Sequence, residues 1–326
     1  MELDLVYTDT RHVPRGILSG YALDLSFGGD ENRFELVCPA DTRLDPGALV
    51  GAYGTEYGGI VDETEPADDG YTITYMGRTW HGLLVERIIE PDAGAGHLHW
   101  QGEAHAMIRM LVSRCGLSSL FEVPGSSGIA IPSLDFDRYT TVWDGMTKAL
   151  SKAGARPYIS WDGGRVVIKA VKAKTVEIDS DTHPVHIVSV HRSVNHLICL
   201  GKGELADRTV IHLYTDASGS ISTSPTFTGV DEIAEVYDYS SAEAEELEKK
   251  GREELAKRHK ASSAELSSLD DLGDIAAVGD TFHAIERTTG IEAHATITKK
   301  IVKVRYDGTV EVRYETGEKR ATGDAE

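Results

Sequence analysis

Four histidines crowd one stretch of this chain. His183, His186, His191 and His196 fall within fourteen residues, just after Asp179 and Asp181. Imidazole nitrogens and carboxylates are the ligands of zinc-type ions and the common general bases, so this is the first place to look for chemistry. Neither an HExxH nor an HxxxH pattern is present, and either would set two imidazoles on one face of a helix. The surrounding residues read as β. In a strand His183 and His186 have opposite parity, and His186 and His196 belong to separate strands. They are expected to be turn and edge histidines. Asp179-Ser180-Asp181 opens like a calcium loop, but His183 and Pro184 then occupy its fifth and sixth positions, where the loop needs its glycine.

The other candidates read as structure. Gly125-Ser126-Ser127-Gly128 lacks the G-x-S-x-G nucleophile elbow and has the composition of a loop. Gly201-Lys202-Gly203 lacks the helix-starting third glycine of a phosphate cradle and is expected to turn between strands. Acidic pairs such as Asp135/Asp137 and Glu63/Glu65 are what any chain with 53 acidic residues offers, and they define no glycosidase dyad. Cys38, Cys115 and Cys199 are far apart and odd in number, and are expected to be structural free thiols. Trp80, Trp100, Trp143 and Trp161 are scattered, as core residues would be, with no sign of a sugar-binding platform. No catalytic, cofactor-binding or metal-ligating residue is assigned, and no cofactor is expected.

With no defensible acid–base pair, nucleophile or metal site in a chain this long, the sequence leans toward a structural or binding role, and bulk properties bound its class. The 326 residues leave room for two or three domains, and 40% apolar with 26% charged residues is the composition of a folded chain. Glycine is frequent (33) and proline modest (10), which suits a turn-rich β protein. A formal charge of −20 disfavours tight contact with nucleic-acid phosphate, yet it suits a surface that must not retain DNA. The acidic start Met1-Glu2-Leu3-Asp4 and the lack of any long apolar run predict neither a signal peptide nor a membrane segment.

The positioning elements are mostly strands. Short β runs are predicted at Leu3–Tyr7, Tyr21–Phe27, Arg33–Cys38 and Leu49–Tyr53, punctuated by Gly, Asp and Pro, as in a barrel or sandwich. After an Asp69-Gly70 turn, Tyr71, Ile73 and Tyr75 alternate with Thr72, Thr74 and Met76. The chain then runs through Trp80, Leu83, Leu84 and Val85 to Arg87-Ile88-Ile89-Glu90-Pro91, expected to be a closing strand or corner. A first boundary is placed near 91–96. Helical periodicity follows at Gly102–Cys115 and Thr141–Ala153, capped by Gly116 and Gly154. A hairpin, Pro157–Trp161 and Arg165–Ala170, then completes an α+β domain at 97–175.

β character returns at Val185–Val190, Val194–Leu200 and Arg208–Tyr214, with an exposed loop at 215–229. Ser240–Leu266 is predicted as a charged helix, started by a Ser240…Glu243 capping box and supported by Glu245/Lys249, Glu246/Lys250, Glu253/Lys257 and Glu254/Arg258. Its thin apolar face (Leu247, Leu255, Ala256) suggests a surface or partner-facing position. Strands resume at Ile275–Val278, Thr281–Glu286, Ala293–Val304 and Thr309–Tyr314, and a polar tail, 318–326, is expected to fray. Two stretches echo each other. Gly47-Ala48-Leu49, Gly58-Gly59-Ile60-Val61 and an Asp-Gly turn are matched in order by Gly273-Asp274-Ile275, Gly290-Ile291 and Asp307-Gly308, as in an internal duplication of two β-barrels.

Several of these segments, in this order, resemble the tail-hub proteins of long-tailed phages: the siphophage tail-tip hub, the N-terminal part of tail-associated lysins and the baseplate hub of contractile tails. Arg33–Pro39, Leu49-Val50 and Gly59-Ile60-Val61 look like the opening barrel, and Gly77–Pro91 like its end. Val194–Gly203 with Arg208-Thr209-Val210 resembles the strand pair that opens a second barrel. Leu272–Ile275, Ile297-Thr298-Lys299 and the Asp307-Gly308 hairpin look like its completion. The resemblance implies a mainly β protein with an α+β insertion: a first barrel at 1–96, the helix-containing domain at 97–175, a second barrel at 176–317 with an inserted helix at 240–266, and the tail. It further implies a virion structural protein of the tail tip or baseplate, made in the host cytoplasm. Such a hub is a homotrimer, joining the tail-tube protein to the tip or spike protein and passing DNA without specific binding. Unlike tail-associated lysins, the chain is expected to carry no peptidase or muramidase domain. Two rival readings are a tail-tip receptor or carbohydrate-binding module, and a metal-dependent hydrolase built on His183–His196. In the hub reading Leu83, Leu84, Ile88 and Ile89 are core, and Arg87 and Glu90 are candidates for a subunit contact.

Overall fold

The computed structural model describes residues 3–68, 70–179, 181, 186–188, 193–260, 265–267, 272–288 and 290–322. The protein is mainly β, in several sheets, with a few helices. By Cα proximity it divides into two compact units. Unit 1 holds 1–176, 269–282 and 296–317; unit 2 holds 177–268, 283–295 and 318–326.

The chain opens with strands β1 (Leu5–Thr8), β2 (Pro14–Ile17), β3 (Ala22–Phe27), β4 (Arg33–Pro39), β5 (Leu49–Ala52), β6 (Gly58–Pro66) and β7 (Thr72–Thr79). Helix α1 (Trp80–Val85), β8 (His99–Glu103), α2 (Ala104–Arg114), β9 (Phe121–Glu122), β10 (Ala130–Asp135), α3 (Val142–Ser151), β11 (Ala155–Trp161) and β12 (Val166–Lys172) follow. Next come β13 (Thr175–Asp179), β14 (His186–Val188), β15 (His196–Leu200), β16 (Val210–Thr215), β17 (Ile221–Ser222), β18 (Ala234–Asp238), α4 (Ala244–Lys260) and β19 (Glu265–Ser267). The chain ends in β20 (Thr281–Glu286), β21 (Ile291–Val304) and β22 (Val310–Thr322).

In unit 1 the hydrogen-bonded order is β21-β3-β4-β7-β6-β5-β1-β2, with β22 beside β21. Alternation along β4 shows why these residues make a sheet: Phe34, Leu36 and Cys38 point inward while Arg33 and Glu35 are exposed. The pattern is shared by β7, whose Tyr75 is buried. Both helices of the 97–175 region form as the periodicity predicts. Glu103 caps α2 by accepting from the Ala106 amide, and Thr141 caps α3 by accepting from Asp144. The β11–β12 hairpin turns through Asp162, whose amide donates to the Arg165 carbonyl.

Four expectations are corrected here. The apolar run after β7 is a helix, not a strand. Trp80, His81, Gly82, Leu83 and Leu84 are all buried, so the segment has no polar face whose period could mark it, and the Thr79 hydroxyl starts the helix by accepting from Gly82 at 3.2 Å. Within it Leu83 and Leu84 are core, as is Ile89 beyond it, but Ile88 is 47% exposed. Residues 275–278 form no strand; the amides of Ile275 and Ala276 donate to the Tyr314 hydroxyl and that of Ala277 to the Asp280 carboxylate. Finally, β22 carries the backbone in strand geometry to Thr322, into the segment expected to fray.

Unit 2 contains a sheet ordered β17-β16-β15-β18, in which β15 pairs antiparallel with β16 and parallel with β18. Helix α4 covers it, and this corrects the partner-facing expectation. Leu247 and Leu255 are fully buried against Leu197, Cys199 and Leu213 of the chain's own sheet. Gly251 permits that approach, because a Cβ there would lie 2.5 Å from the Cys199 sulfur. The helix is also shorter than predicted. It starts at Ala244, and residues 265–267 instead form β19, paired with β14. Of the expected ion pairs Glu254–Arg258 is made at 3.0 Å, while Glu248–Arg252 at 2.7 Å and Lys250–Glu253 at 2.9 Å supply further support.

Candidate functional site

Two stretches of unit 1 are built on one hydrogen-bond plan. In the first, Gly47 (φ 88°) donates its amide to the Val61 carbonyl, Val61 donates to Ala48, and Ala48 donates back to Asp45. In the second, Gly279 (φ 92°) donates to Ile297, Ile297 donates to Asp280, and Asp280 donates back to Ala277. Each glycine sits in the left-handed region that a side chain would strain. The parallel extends to a tyrosine lock. The Tyr75 hydroxyl donates to the Thr42 carbonyl and accepts from the Leu44 amide. The Tyr314 hydroxyl donates to Gly273 and accepts from Ile275 and Ala276. The echo read from the sequence is therefore present with a corrected register. Gly47 corresponds to Gly279 rather than Gly273, and Val61 to Ile297.

Charged groups tie the two repeats together. Tyr57, next to β6, donates its hydroxyl to Asp274 at 2.5 Å. Lys300 of β21 pairs with the same carboxylate, donates to the Ala276 carbonyl at 3.1 Å, and lies over the rings of Tyr57 and Tyr314. Burial and the neighbouring Asp274 charge push the Tyr57 hydroxyl far above its ordinary range, so it stays a donor. Asp280 is completely buried and accepts from the Arg156 guanidinium at 2.6 Å and from the amides of Lys174 and Ala277, both at 3.0 Å. A buried carboxylate with both oxygens engaged by a guanidinium and two amides holds parts in place.

Beside this junction His81 is fully buried, stacked on Phe27 at 4.1 Å and edge-on to Trp143 at 4.7 Å. Burial lowers its pKa, opposed by Glu56, whose carboxylate is 3.5 Å away. The imidazole is thus kept neutral in an aromatic pocket.

The residues singled out in the sequence end up apart. His183 and His191 lie outside the described residues, as does Ser180, and of His186 only the backbone, in β14, is described. His196 sits on the interior strand β15, where the expectation was a turn or edge. Its Nδ1 is 2.6 Å from Glu232, its Nε2 2.8 Å from His212 Nδ1, and its ring stacks on Tyr214. Asp179 is engaged by Arg287 at 2.8 Å, which holds its carboxyl below the usual range. Ser127 donates its hydroxyl and amide to Glu103. Burial opposes the charge there, but these bonds and those from Ala106 and His105 outweigh it and bring the Glu103 carboxyl down to about 2. Lys202 of the Gly201–Gly203 turn pairs with Glu243. Asp135 meets His99, Asp137 meets Lys148, and Glu63 meets Arg33. Trp80, Trp143 and Trp161 are core, and burial raises all three thiols, Cys38 to about 12 and Cys199 to about 11.

The junction residues Tyr57, Arg156, Asp274, Asp280 and Lys300 were missed by sequence reasoning. Arg156 and Asp280 are 124 positions apart, and no local spacing announces such a pair. A second missed group, His283, Glu292 and His294 in unit 2, does leave a faint signal, the Glu-x-His alternation of β21.

The sequence matches no family model and no curated protein. Solved structures similar to the chain include tail proteins, two of them from prophages. One is a tail protein from Neisseria meningitidis MC58, with 14% identity, 97% of this chain and 96% of that one covered, and a TM-score of 0.47. Another is prophage tail protein gp18 from Listeria monocytogenes EGD-e, with 12% identity, 97% and 95% covered, and a TM-score of 0.49. A third is the 43 kDa tail protein of prophage MuSo2 from Shewanella oneidensis, with 15% identity, 97% of both chains covered, and a TM-score of 0.49. Likenesses of this degree concern the course of the chain and transfer no residue or role.

Proposed function

We propose that the chain is a virion structural protein of the tail tip or baseplate, a non-enzymatic hub. In this reading it assembles as a homotrimer in which the two repeats of each chain close as barrels and alternate around a ring of six. The ring joins the tail tube to the tip or spike and lets DNA pass. The division into 1–96, 97–175, 176–317 and 318–326 belongs to the same proposal. The observation that carries it is the pair of repeats with one hydrogen-bond plan, bound to each other through Tyr57, Asp274 and Lys300. A three-fold assembly that must match a six-fold tube needs two equivalent modules per chain, fixed with respect to one another, and a buried charged junction provides such a fixing. The net charge of −20 suits a lumen that DNA must leave without sticking. The names of the similar solved structures agree with the reading and are not its ground. Sedimentation of the purified chain over a wide concentration series tests it, with copy number in intact tail particles as a second measurement. A three-chain species in either is expected. A monomer at every concentration, together with a copy number that is not a multiple of three, would overturn it.

A further inference from the structure

We propose that His283, Glu292 and His294 form a binding site for a first-row divalent transition-metal ion of the zinc class, on one face of the β20–β21 ribbon in unit 2. The proposal does not rest on the hub reading. Among the described residues, one ligand atom from each of these three side chains comes within 4.8 Å of the other two. A tetrahedral ion held at about 2.0–2.2 Å from each nitrogen and oxygen needs ligand atoms about 3.3 Å apart. One pair already meets that spacing, since His283 Nε2 and the Glu292 carboxylate are 3.2 Å apart. The His294 ring is stacked parallel to that of His283, with centroids 4.2 Å apart, and because an imidazole ligates in its own plane, one of the two rings must turn about its side-chain torsions for both nitrogens to point at one ion.

The second observation is the state in which His283 is held. Its Nδ1 is 2.6 Å from the carboxylate of Glu177 on β13, the strand next to β20. A carboxylate accepts and cannot donate, so Nδ1 carries the hydrogen. In the ring protonated at Nδ1 alone, the lone pair of Nε2 faces the Glu292 oxygen, acceptor against acceptor; a second ring proton or a metal cation between them satisfies both, and the metal titration below distinguishes the two. Carboxylate, histidine and metal in a row is the usual way an outer carboxylate sets a ligand's tautomer and raises its basicity. Glu177 is thus a positioning residue. Two imidazoles and one carboxylate suit zinc-class ions better than magnesium or calcium, which take oxygen ligands. The site is open: Glu292 is 44% and Glu177 67% exposed, so an ion enters from solvent and keeps water in a fourth position.

The test uses the full chain, stripped by a strong chelator and titrated with Zn2+ alone in competition with a chromophoric chelator. The wild type is expected to bind a single equivalent, and Co2+ in its place to give the visible absorption of a four-coordinate site. His283→Gln and His294→Gln are each expected to weaken Zn2+ binding by about 100-fold, and Glu177→Gln by about 10-fold, the range measured for outer-shell carboxylates. Circular dichroism on each variant separates lost ligation from lost folding, and Glu292→Gln supplies a further ligand change if one histidine variant does not fold. Substoichiometric binding by the wild type overturns the proposal. So does affinity unchanged in the His283→Gln/His294→Gln double variant, which would assign the metal to other histidines. Unchanged affinity in Glu177→Gln would overturn the positioning role.

Discussion

Asp280→Ala is the most informative single perturbation of the junction. The wild-type carboxylate is wholly buried and Arg156 is only 9% exposed, so the substitution strands a guanidinium away from water. Breaking a buried ion pair from one side costs about 3–5 kcal/mol. The amides of Lys174 and Ala277 also lose their acceptor, and each adds about 1 kcal/mol at the lower end of the range for unsatisfied buried donors. The total of roughly 5–7 kcal/mol is comparable with the whole stability of many domains. Urea unfolding followed by tryptophan fluorescence reads this directly, because Trp80, Trp100, Trp143 and Trp161 all belong to unit 1. Two further variants locate the cause. Asp280→Asn keeps an acceptor for the amides and is expected to lose less. Arg156→Met added to Asp280→Ala removes the stranded charge and is expected to restore about 1–3 kcal/mol, the coupling typical of residues in contact. A loss below about 1 kcal/mol for Asp280→Ala would refute the reasoning, as would single effects that add to within about 0.5 kcal/mol.

Two other expectations concern the core beside the junction. Leu84→Asp places an unpaired charge at a fully buried position of α1 and is expected to cost more than about 4 kcal/mol or to prevent folding. Unchanged thermal stability in that variant would show the helix to be misplaced. His81 gives a pH dependence of definite sign. Its folded pKa is depressed below the model-peptide value of 6.5, so below that pH the unfolded chain takes up a proton that the folded chain refuses. Its part in stability therefore falls as pH drops from 6.5 toward the folded pKa, by about 1.4 kcal/mol per pH unit at most. Urea midpoints between pH 5 and 7.5 are expected to fall less steeply for His81→Gln than for the wild type, and equal slopes would rule the effect out.

What the sequence by itself determined is whatever a few neighbouring residues can settle. Alternation in Arg33–Cys38 and the 3.6-residue period of Ala104–Arg114 and Val142–Ser151 placed strand and helices correctly, and Asp162-Gly163-Gly164 marked its hairpin turn. The same local reading failed where burial is complete. Trp80–Val85 has no polar face, and an apolar run of six fits strand or helix equally until a cap and a pocket decide. It failed again for α4, whose three apolar residues made a face that looked too thin for packing on the chain's own sheet until Gly251 let the helix come down onto Cys199 and Leu213. The repeat was legible as an order of glycines, but its register was not. Glycines recur for many reasons, and only the hydrogen bonds of Gly47, Gly279, Tyr75 and Tyr314 say which ones correspond. The crowded histidines drew attention because they are close in the chain. The group that tertiary structure brings together, His283 with Glu292 and His294, draws on adjacent strands, with Glu177 arriving from a third. Junction and metal site alike depend on partners far apart in sequence, and their pairing is decided by packing.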